Sequence, residues 1–243
     1  MLNSNFKIKD RLIKNYADPY IIAEAGSNHN QSLDTAFKLV EVAANAGAQA
    51  IKFQLFNAKN LYQPGTDLYK VFKKIELKKE WIPQLFDHCK SCGIDFLASP
   101  FDFSSVEILE KSGVVAYKIA SSELTNIKLL THIAKKNKPI FISTGMSDFS
   151  DVSDAVEICS SLGATSIVIL QCGAVYPLPV EQSHLKVMDV YNAMFDCPIG
   201  FSDHTLNLVA SVAAVARGAS VIEKHFTLDK KSEGPDHFYA LNP

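Results

Sequence analysis

The chain has 243 residues and a formal net charge of −2, and 47% of its residues are hydrophobic and 21% charged. This composition is typical of one globular domain and excludes the basic excess expected of a protein that binds nucleic acid or a membrane surface. No apolar run reaches the roughly 20 residues that cross a bilayer, and the first residues lack the apolar centre of a signal peptide. We therefore predict a cytoplasmic protein without a nucleic-acid or membrane partner.

Short apolar runs alternate with longer amphipathic stretches, which predicts strand–helix units and a parallel sheet. The predicted strands are Tyr20–Ala25, Ala50–Gln54, Asp95–Ala98, Ala116–Ala120, Pro139–Ser143, Ser166–Gln171, Ile199–Ser202 and Val221–Phe226. The predicted helices are Ser32–Ala46, Lys79–Cys92, Ser104–Ser112, Val152–Leu162 and Leu206–Ala216. A glycine follows each helix closely, as expected of a left-handed cap before the next strand.

Eight strands with intervening helices predict an α/β fold, the (β/α)8 TIM barrel. No glycine-rich dinucleotide fingerprint follows the first strand, which argues against an open doubly wound sheet. The segment Phe6–Ile13 alternates with period two and predicts a β-hairpin at the barrel floor. We assign residues 1–243 to this one barrel domain. Because Pro243 follows soon after the eighth strand, we expect the last barrel helix to be missing.

The five cysteines are an odd number without regular spacing, which agrees with a reducing compartment. Cys89 and Cys92 form a CxxC beside His88, a pattern that also occurs in redox and zinc sites. No second pair of ligands follows at zinc-finger spacing. We therefore interpret both as structural thiols.

Active sites of such barrels lie at the carboxyl ends of the strands. Lys52 and Lys118 lie there within apolar strands, and burying either amine costs several kcal/mol unless it is paired or meets an anionic ligand. Three carboxylates at the strand ends could form the salt bridges: Glu24, Glu123 and Glu223. Three hydroxyls surround the lysines: Ser121, Ser143 and Ser202. Two lysines among hydroxyls favour a site for a small molecule that carries both a phosphate and a carboxylate.

His204 and His225 end the seventh and eighth predicted strands, which are neighbours in a barrel. Taken singly, each is typical of a hydrogen-bonded structural histidine. As a pair beside Asp203 and Glu223, they favour a shared divalent cation, with water and substrate oxygens in the remaining positions. His29 and His237 are weaker candidates for ligands.

Nine motifs in order show that the chain resembles the N-acetylneuraminate (sialic acid) synthases and their legionaminate and pseudaminate relatives. They are IIAEAGSNHN (21–30), IKFQ (51–54), ASPFD (98–102), YKIASSE (117–123), ISTGM (142–146), YP (176–177), GFSDHT (200–205), IEKHFT (222–227) and GPDH (234–237). The resemblance runs from about Phe6 to Pro243 and so covers nearly the whole chain.

The resemblance implies condensation of phosphoenolpyruvate with N-acetylmannosamine or a 2,4-diacetamido-6-deoxy analogue, giving a nine-carbon 2-keto acid and phosphate. It implies that phosphoenolpyruvate is bound by Lys52, Lys118, Ser121, Ser143 and Ser202. It places a divalent metal, Mn²⁺ with Mg²⁺ or Co²⁺ as alternatives, on His204 and His225. It places the sugar against Gln54, Phe101, Tyr176 and Asp236. The implied catalytic residues are Lys118 and two candidate acid/base groups, Glu24 and Glu123.

Three positions differ from the common family pattern or distinguish its branches. Ala174 stands where an amide-bearing contact to phosphoenolpyruvate is common. Gln31, where neuraminate-type members usually have glycine, resembles the pseudaminate branch. The tail with Asp236 resembles the neuraminate and legionaminate branch, and we weight it more because Asp236 is expected to contact the sugar. We also expect the family's C-terminal antifreeze-like domain, which reaches across a homodimer, to be absent from residues 1–243.

Two alternatives stay open at this point. One is a related phosphoenolpyruvate-dependent synthase of ketodeoxy sugar acids, which needs further arginines for a second phosphate, whereas Arg11 and Arg217 lie away from the strand ends. The other is a truncated barrel that binds ligand without turnover.

Overall fold

A computed structural model describes all residues from Met1 to Pro243. The strands are β1 (Asn5–Ile8), β2 (Arg11–Lys14), β3 (Tyr20–Gly26), β4 (Ala50–Leu55), β5 (Asp95–Pro100), β6 (Tyr117–Ile119), β7 (Ile140–Ser143), β8 (Ile167–Cys172), β9 (Ile199–Asp203) and β10 (Val221–His225). The α-helices are α1 (Leu33–Asn45), α2 (Ala58–Leu61), α3 (Asp67–Ile75), α4 (Ile82–Ser91), α5 (Phe103–Ser112), α6 (Ile127–Ala134), α7 (Phe149–Ser161), α8 (Val187–Met194) and α9 (Val209–Ala216). Short 3-10 helices cover Lys79–Trp81, Ser121–Glu123 and Val180–Gln182. No helix is both long and apolar enough to cross a membrane.

The eight strands that follow the hairpin form one sheet in the order β5-β4-β3-β10-β9-β8-β7-β6. Consecutive strands are neighbours except β5 and β6, and the last strand, β10, lies beside the first, β3. This order, with parallel pairing from β6 through β10 and between β4 and β5, is that of a (β/α)8 barrel. The predicted fold class and all eight predicted strands are confirmed.

The chain divides into two compact units by its internal contacts. The first unit consists of Met1–Ile22 and Val115–Lys224, and the second of Ala23–Val114 and His225–Pro243. The boundaries fall inside β3 and β10, so each unit holds part of both strands.

In the first unit, β1 and β2 form the predicted antiparallel hairpin, with Phe6 paired to Ile13. Hydrogen bonds attach this hairpin and its flanks to the segments that precede β8, β9 and β10. Asn3 N–H donates to the Thr165 carbonyl over 3.0 Å, and Ile199 N–H donates to Asn15 Oδ1 over 2.7 Å. Because these segments are the amino-terminal ends of the strands, the hairpin lies at the floor as predicted.

Five glycines confirm the predicted left-handed caps, with backbone φ between +71° and +92°. They are Gly47, Gly93, Gly113, Gly163 and Gly218. A residue with a side chain would be strained at such φ values, so glycine ends each helix at the lowest cost in backbone conformational energy.

In the second unit, an aromatic cluster holds the segment between β4 and α4. The rings of Phe56 and Phe72 lie 5.5 Å apart, Tyr62 contacts Phe72 at 4.6 Å, and Phe101 contacts Phe56 at 5.9 Å. This packing fixes α3, a helix that the sequence reading did not predict. Residues 226–243 form turns rather than a helix, and Leu241 folds back on Phe226 in a parallel bridge.

Candidate active site

In the second unit, Lys52 lies in a buried polar cluster at the end of β4. Its Nζ is 2.7 Å from Glu24 Oε2 and 3.1 Å from Ser99 Oγ. Gln54, two residues further along the strand, donates to Glu24 Oε1 over 3.3 Å. Both side chains reach the same carboxylate, so they lie on one face of β4. The salt-bridge alternative for Lys52 is therefore realised in this structure.

In the first unit, Lys118 lies in a similar arrangement. Its Nζ donates to the Ile119 carbonyl over 3.0 Å and lies 3.8 Å from Glu223 Oε1. Ser202 donates to the same oxygen over 3.0 Å. Lys118, Glu223 and Ser202 are all buried. A second buried lysine thus faces a glutamate and a serine hydroxyl.

The other two predicted serines differ in their hydrogen bonding. Ser121 Oγ accepts the Gly145 N–H over 3.0 Å. Ser143, at the end of β7, is only 2% exposed, and its Oγ has no hydrogen-bond partner. A buried hydroxyl without a partner costs about 1–3 kcal/mol, so Ser143 is the predicted anion-binding residue that most needs a ligand.

His204 is held in the first unit by two contacts to its Nδ1 and by one aromatic ring. Its Nδ1 lies 2.6 Å from the Gly173 carbonyl and 3.8 Å from Cys172 Sγ, and the Tyr176 ring packs on it at 4.1 Å. Burial opposes the charged imidazole, but Cys172 and Glu223 outweigh burial and raise the pKa of His204. Because a carbonyl only accepts, Nδ1 carries the proton and Nε2 is the nitrogen that can bind a metal.

His225 has a comparable arrangement in the second unit. Its Nδ1 is 3.4 Å from the Tyr239 hydroxyl, which donates to Asp236 Oδ1 over 2.9 Å. Asp236 Oδ2 also accepts from Ser27 Oγ over 3.0 Å. These hydrogen bonds orient the carboxylate that is predicted to contact the sugar, and they place the proton of His225 on Nδ1.

Gly26 allows the Asp236 carboxylate to lie close to the end of β3. The residue has φ +53°, and a Cβ on it would lie 2.8 Å from Asp236 Oδ2. The carboxylate can approach the end of β3 this closely only because residue 26 is glycine.

Both histidines thus fit metal binding through Nε2, because a protein acceptor fixes the proton on each Nδ1. The chain has no cluster of three or more His, Cys, Asp or Glu side chains that could hold a metal. The site of two histidines completed by water and substrate oxygens stays a prediction.

The two weaker histidine candidates are engaged elsewhere. His237 contacts Thr227 Oγ1 at 2.6 Å and Asn30 Oδ1 at 3.0 Å with its two ring nitrogens. His29 is fully buried and accepts the Gln31 N–H, and burial lowers its pKa to about 4 although Asp236 opposes this. Neither is arranged as a metal ligand.

The remaining predicted residues are placed less centrally. Glu123 is half-buried at a 3-10 turn and accepts from Asn126 over 2.9 Å, whereas Glu24 pairs with a buried lysine. Tyr176 is 47% exposed over His204. Phe101 packs on Phe56 at 5.9 Å.

The sequence reading gave no role to two residues that the structure brings into these clusters, Ser99 and Cys172, whereas Glu223 was one of its three candidate salt-bridge carboxylates. Ser99 is the next-to-last residue of β5 and Glu223 alternates with His225 along β10, so the period of two in a strand could have indicated the direction of both side chains. Cys172 is buried next to His204. Burial opposes its thiolate, but His204 and Lys118 outweigh burial and lower the pKa of the thiol. Arg11 and Arg217 lie in the hairpin and before β10, away from the strand ends as predicted.

Known proteins are similar to this chain over most of its length. The NeuB family pattern matches residues 39–243. The N,N'-diacetyllegionaminic acid synthase of Campylobacter jejuni is 43% identical over 239 residues, covering 92% of this chain and 72% of that protein. The N-acetylneuraminate-9-phosphate synthase of Mus musculus is 36% identical over 238 residues, covering 92% of this chain and 66% of that protein. The N-acetylneuraminic acid synthetase of Leptospira borgpetersenii, solved with citrate, superposes with a TM-score of 0.95 at 30% identity, covering 100% of this chain and 85% of that one.

Proposed function

Because this chain belongs to the NeuB family, we propose that it condenses phosphoenolpyruvate with an N-acetylated amino sugar to give a nine-carbon 2-keto acid and inorganic phosphate. The observation that carries the proposal is the buried Ser143 hydroxyl, which has no protein partner and ends a strand of the same unit as Lys118. Phosphate and carboxylate oxygens are acceptors for such a hydroxyl and for buried ammonium groups.

The proposed bond changes balance as follows. C3 of phosphoenolpyruvate forms a bond to the aldehyde carbon of the open-chain sugar, whose oxygen becomes a hydroxyl. Water adds at C2, and the C2–O bond to phosphate breaks to leave the keto group. Lys52 and Lys118 orient and neutralise the anionic groups, which contributes through positioning and electrostatic stabilisation.

Glu24 is the acid/base group that the contacts favour over Glu123, because it is buried against Lys52 and Gln54. From there it can hold the attacking water or take its proton. His204 and His225 are the proposed metal ligands, each through Nε2. A bound divalent cation would supply Lewis-acid polarisation of the sugar carbonyl.

The cellular setting is part of the same proposal. All five cysteines are free thiols, which supports a reducing cytoplasm. The homodimer, Mn²⁺ as the metal and Gln54, Phe101, Tyr176 and Asp236 as sugar contacts rest on the family resemblance.

The first test replaces one hydroxyl with a matched control. Ser143→Ala removes the partnerless hydroxyl, so the free energy of unfolding should stay constant or rise while phosphoenolpyruvate affinity in calorimetry falls about tenfold, the equivalent of one hydrogen bond to an anion. Ser105→Ala is the control, because Ser105 Oγ in α5 is also buried without a partner. Equal affinity in both variants would remove Ser143 from the anion site.

The second test identifies the acceptor and the metal. Phosphate release from phosphoenolpyruvate should require an N-acetylated mannose-type sugar and a divalent cation. Arabinose 5-phosphate or erythrose 4-phosphate as the better acceptor would overturn the substrate class. His225→Ala should lose Mn²⁺ binding in calorimetry together with turnover, whereas His88→Ala should keep both.

A further inference from the structure

Tyr239 joins two residues of the proposed site in the second unit. Its hydroxyl donates to Asp236 Oδ1 over 2.9 Å and lies 3.4 Å from Nδ1 of His225. The rings of Tyr239 and His225 also pack edge to face, with centroids 5.1 Å apart. Tyr239 is only 3% exposed and His225 6%, so water has little access to these contacts. A predicted metal ligand and the carboxylate that is predicted to contact the sugar thus share one tyrosine.

The single proton of the hydroxyl determines the direction of both hydrogen bonds. A carboxylate only accepts, so the Tyr239 proton points to Asp236. Towards His225 the phenolic oxygen can then only accept, and Nδ1 of His225 must carry a proton. In the neutral ring the unprotonated nitrogen is then Nε2, and an unprotonated ring nitrogen is what a metal binds. The hydroxyl therefore selects the tautomer of His225.

The backbone around Tyr239 is fixed on both sides of the residue. Leu241 N–H donates to the His225 carbonyl over 2.9 Å, and the ring of His237 contacts Thr227 Oγ1 at 2.6 Å. These contacts bring the turn after β10 back onto the end of that strand. The Tyr239 hydroxyl is therefore held between its two partners by the fold itself, before any ligand binds.

The two predicted metal ligands differ in the group that fixes the proton on Nδ1. For His204 this group is the Gly173 carbonyl at 2.6 Å, a backbone atom that no substitution removes. For His225 it is a side-chain hydroxyl, which the Asp236 carboxylate polarises and so makes a stronger acceptor. Acceptors of this kind raise the basicity of the ligating nitrogen, and their loss commonly lowers metal affinity about 10–100-fold.

Resting on the proposed function, we propose that Tyr239 is a positioning residue for the divalent cation and for the sugar. Its hydroxyl fixes the Nδ1–H tautomer of His225 and holds Asp236 in the orientation that meets the sugar. The affinity of His225 for the cation then depends on the charge of Asp236, because the hydroxyl transmits that charge to the imidazole. The phenyl ring without its hydroxyl performs neither task.

The first measurement needs no ligand. Nitrogen NMR of protein with isotope-labelled histidine should show the Nδ1–H tautomer of His225 in the wild type. Tyr239→Phe keeps the ring but removes the acceptor, so the Nε2–H tautomer of His225 should appear beside the first. His204 is the internal control and should keep its Nδ1 proton in both proteins. An unchanged His225 tautomer in the variant would overturn the assignment.

The second measurement is ligand affinity. Tyr239→Phe should weaken Mn²⁺ binding in calorimetry about tenfold and raise the KM for the sugar, while phosphoenolpyruvate affinity changes less than about twofold. Tyr20→Phe is the matched control, because Tyr20 is 1% exposed but starts β3, at the opposite end of the strand from the site. It should leave all three quantities unchanged. A lower Tm of Tyr239→Phe with unchanged Mn²⁺ affinity would make Tyr239 a packing residue and refute the proposal.

A double-mutant cycle tests the connection to Asp236. Asp236→Asn should weaken Mn²⁺ binding in the wild type, and by a smaller factor in Tyr239→Phe, where the transmitting hydroxyl is gone. Equal factors in the two backgrounds would contradict the connection. If the wild type fails to bind phosphoenolpyruvate or Mn²⁺, the proposed function fails and this inference fails with it. If the wild type binds both and Tyr239→Phe binds Mn²⁺ equally well, only this inference fails.

Discussion

Replacing Lys224 with methionine should destabilise the protein by several kcal/mol, although Lys224 contacts none of the proposed substrates. Lys224 alternates with Glu223 and His225 along β10 and points to the opposite face. Its Nζ is 2.9 Å from Asp203 Oδ2 and donates to the Thr205 carbonyl over 2.8 Å. Its side chain is 9% exposed, and that of Asp203 is fully buried.

The magnitude follows from what the variant leaves behind. In the variant, Asp203 would still accept hydrogen bonds from the Thr205 N–H at 2.8 Å and from the Ser211 hydroxyl at 2.5 Å. It would, however, be a buried charge without its cation. Breaking one partner of a buried ion pair costs about 3–5 kcal/mol. For a chain of this size that corresponds to a fall in Tm of about 6 to 20 °C. Because Asp203 and Thr205 flank His204, Mn²⁺ affinity should also fall.

Urea unfolding followed by circular dichroism measures the effect. Lys70→Met is the matched control, because Lys70 and Asp67 are 2.8 Å apart with side chains 63% and 97% exposed. This surface pair should contribute less than about 1 kcal/mol. The double variant Asp203→Asn with Lys224→Met keeps an acceptor for Thr205 without the charge and should recover at least half the loss. Equal stability of the Lys224 and Lys70 variants would refute the reasoning.

Three further predictions concern titration, approach and accessibility. His29 has a folded-state pKa of about 4, below the unfolded value of 6.5. The contribution of neutral His29 to the free energy of unfolding is therefore complete above pH 6.5 and is lost as the pH falls towards 4. Between pH 7 and 5 this loss is about 2 kcal/mol, and urea titrations of His29→Phe should lack it; an identical pH dependence would contradict this. Gly26→Ala should displace Asp236 and raise the sugar KM about tenfold with unchanged phosphoenolpyruvate affinity, and an unchanged KM would argue against the close approach. Burial raises the pKa of Cys159 and Cys197 to about 12, so at pH 8 a disulfide reagent should modify Cys92 in the native protein and those two only after unfolding.

The sequence predicted the barrel well because its signals are local. Each buried strand is a short apolar run, and each of the five predicted helices ends at a glycine that the structure places in the left-handed region. The bounds were less accurate where a cap decides them. α7 begins at Phe149 rather than Val152, because Asp148 and Asp151 form a capping box three residues earlier.

Four helices were not predicted, and each lacks a strong local signal. α2 has four residues, and α3 has no buried residue in its nine. α6 and α8 have eight residues each. An isolated helix this short is marginal in water, so α3 depends on Phe72 packing against Phe56 and Tyr62, contacts that are visible only in the fold.

In the candidate site too, the sequence predicts the arrangement within one strand better than contacts between strands that are distant in sequence. That Lys52 and Gln54 share one face follows from strand period alone. The period does not predict which carboxylate each lysine contacts, because only the order of the strands in the sheet brings Lys118 and Glu223 together. The partnerless Ser143 hydroxyl likewise depends on side-chain packing, which the period of a strand does not predict.

The hairpin of β1 and β2 has a consequence for synthesis on the ribosome. Its flank bonds to Thr165 across 162 positions, and translation at about 5–20 residues per second separates these two segments by roughly 8–30 seconds. The hairpin is therefore synthesised first, and its hydrogen-bonding edge stays exposed until the strands that it contacts have left the ribosome. A nascent chain stalled before β8 should hold this hairpin undocked.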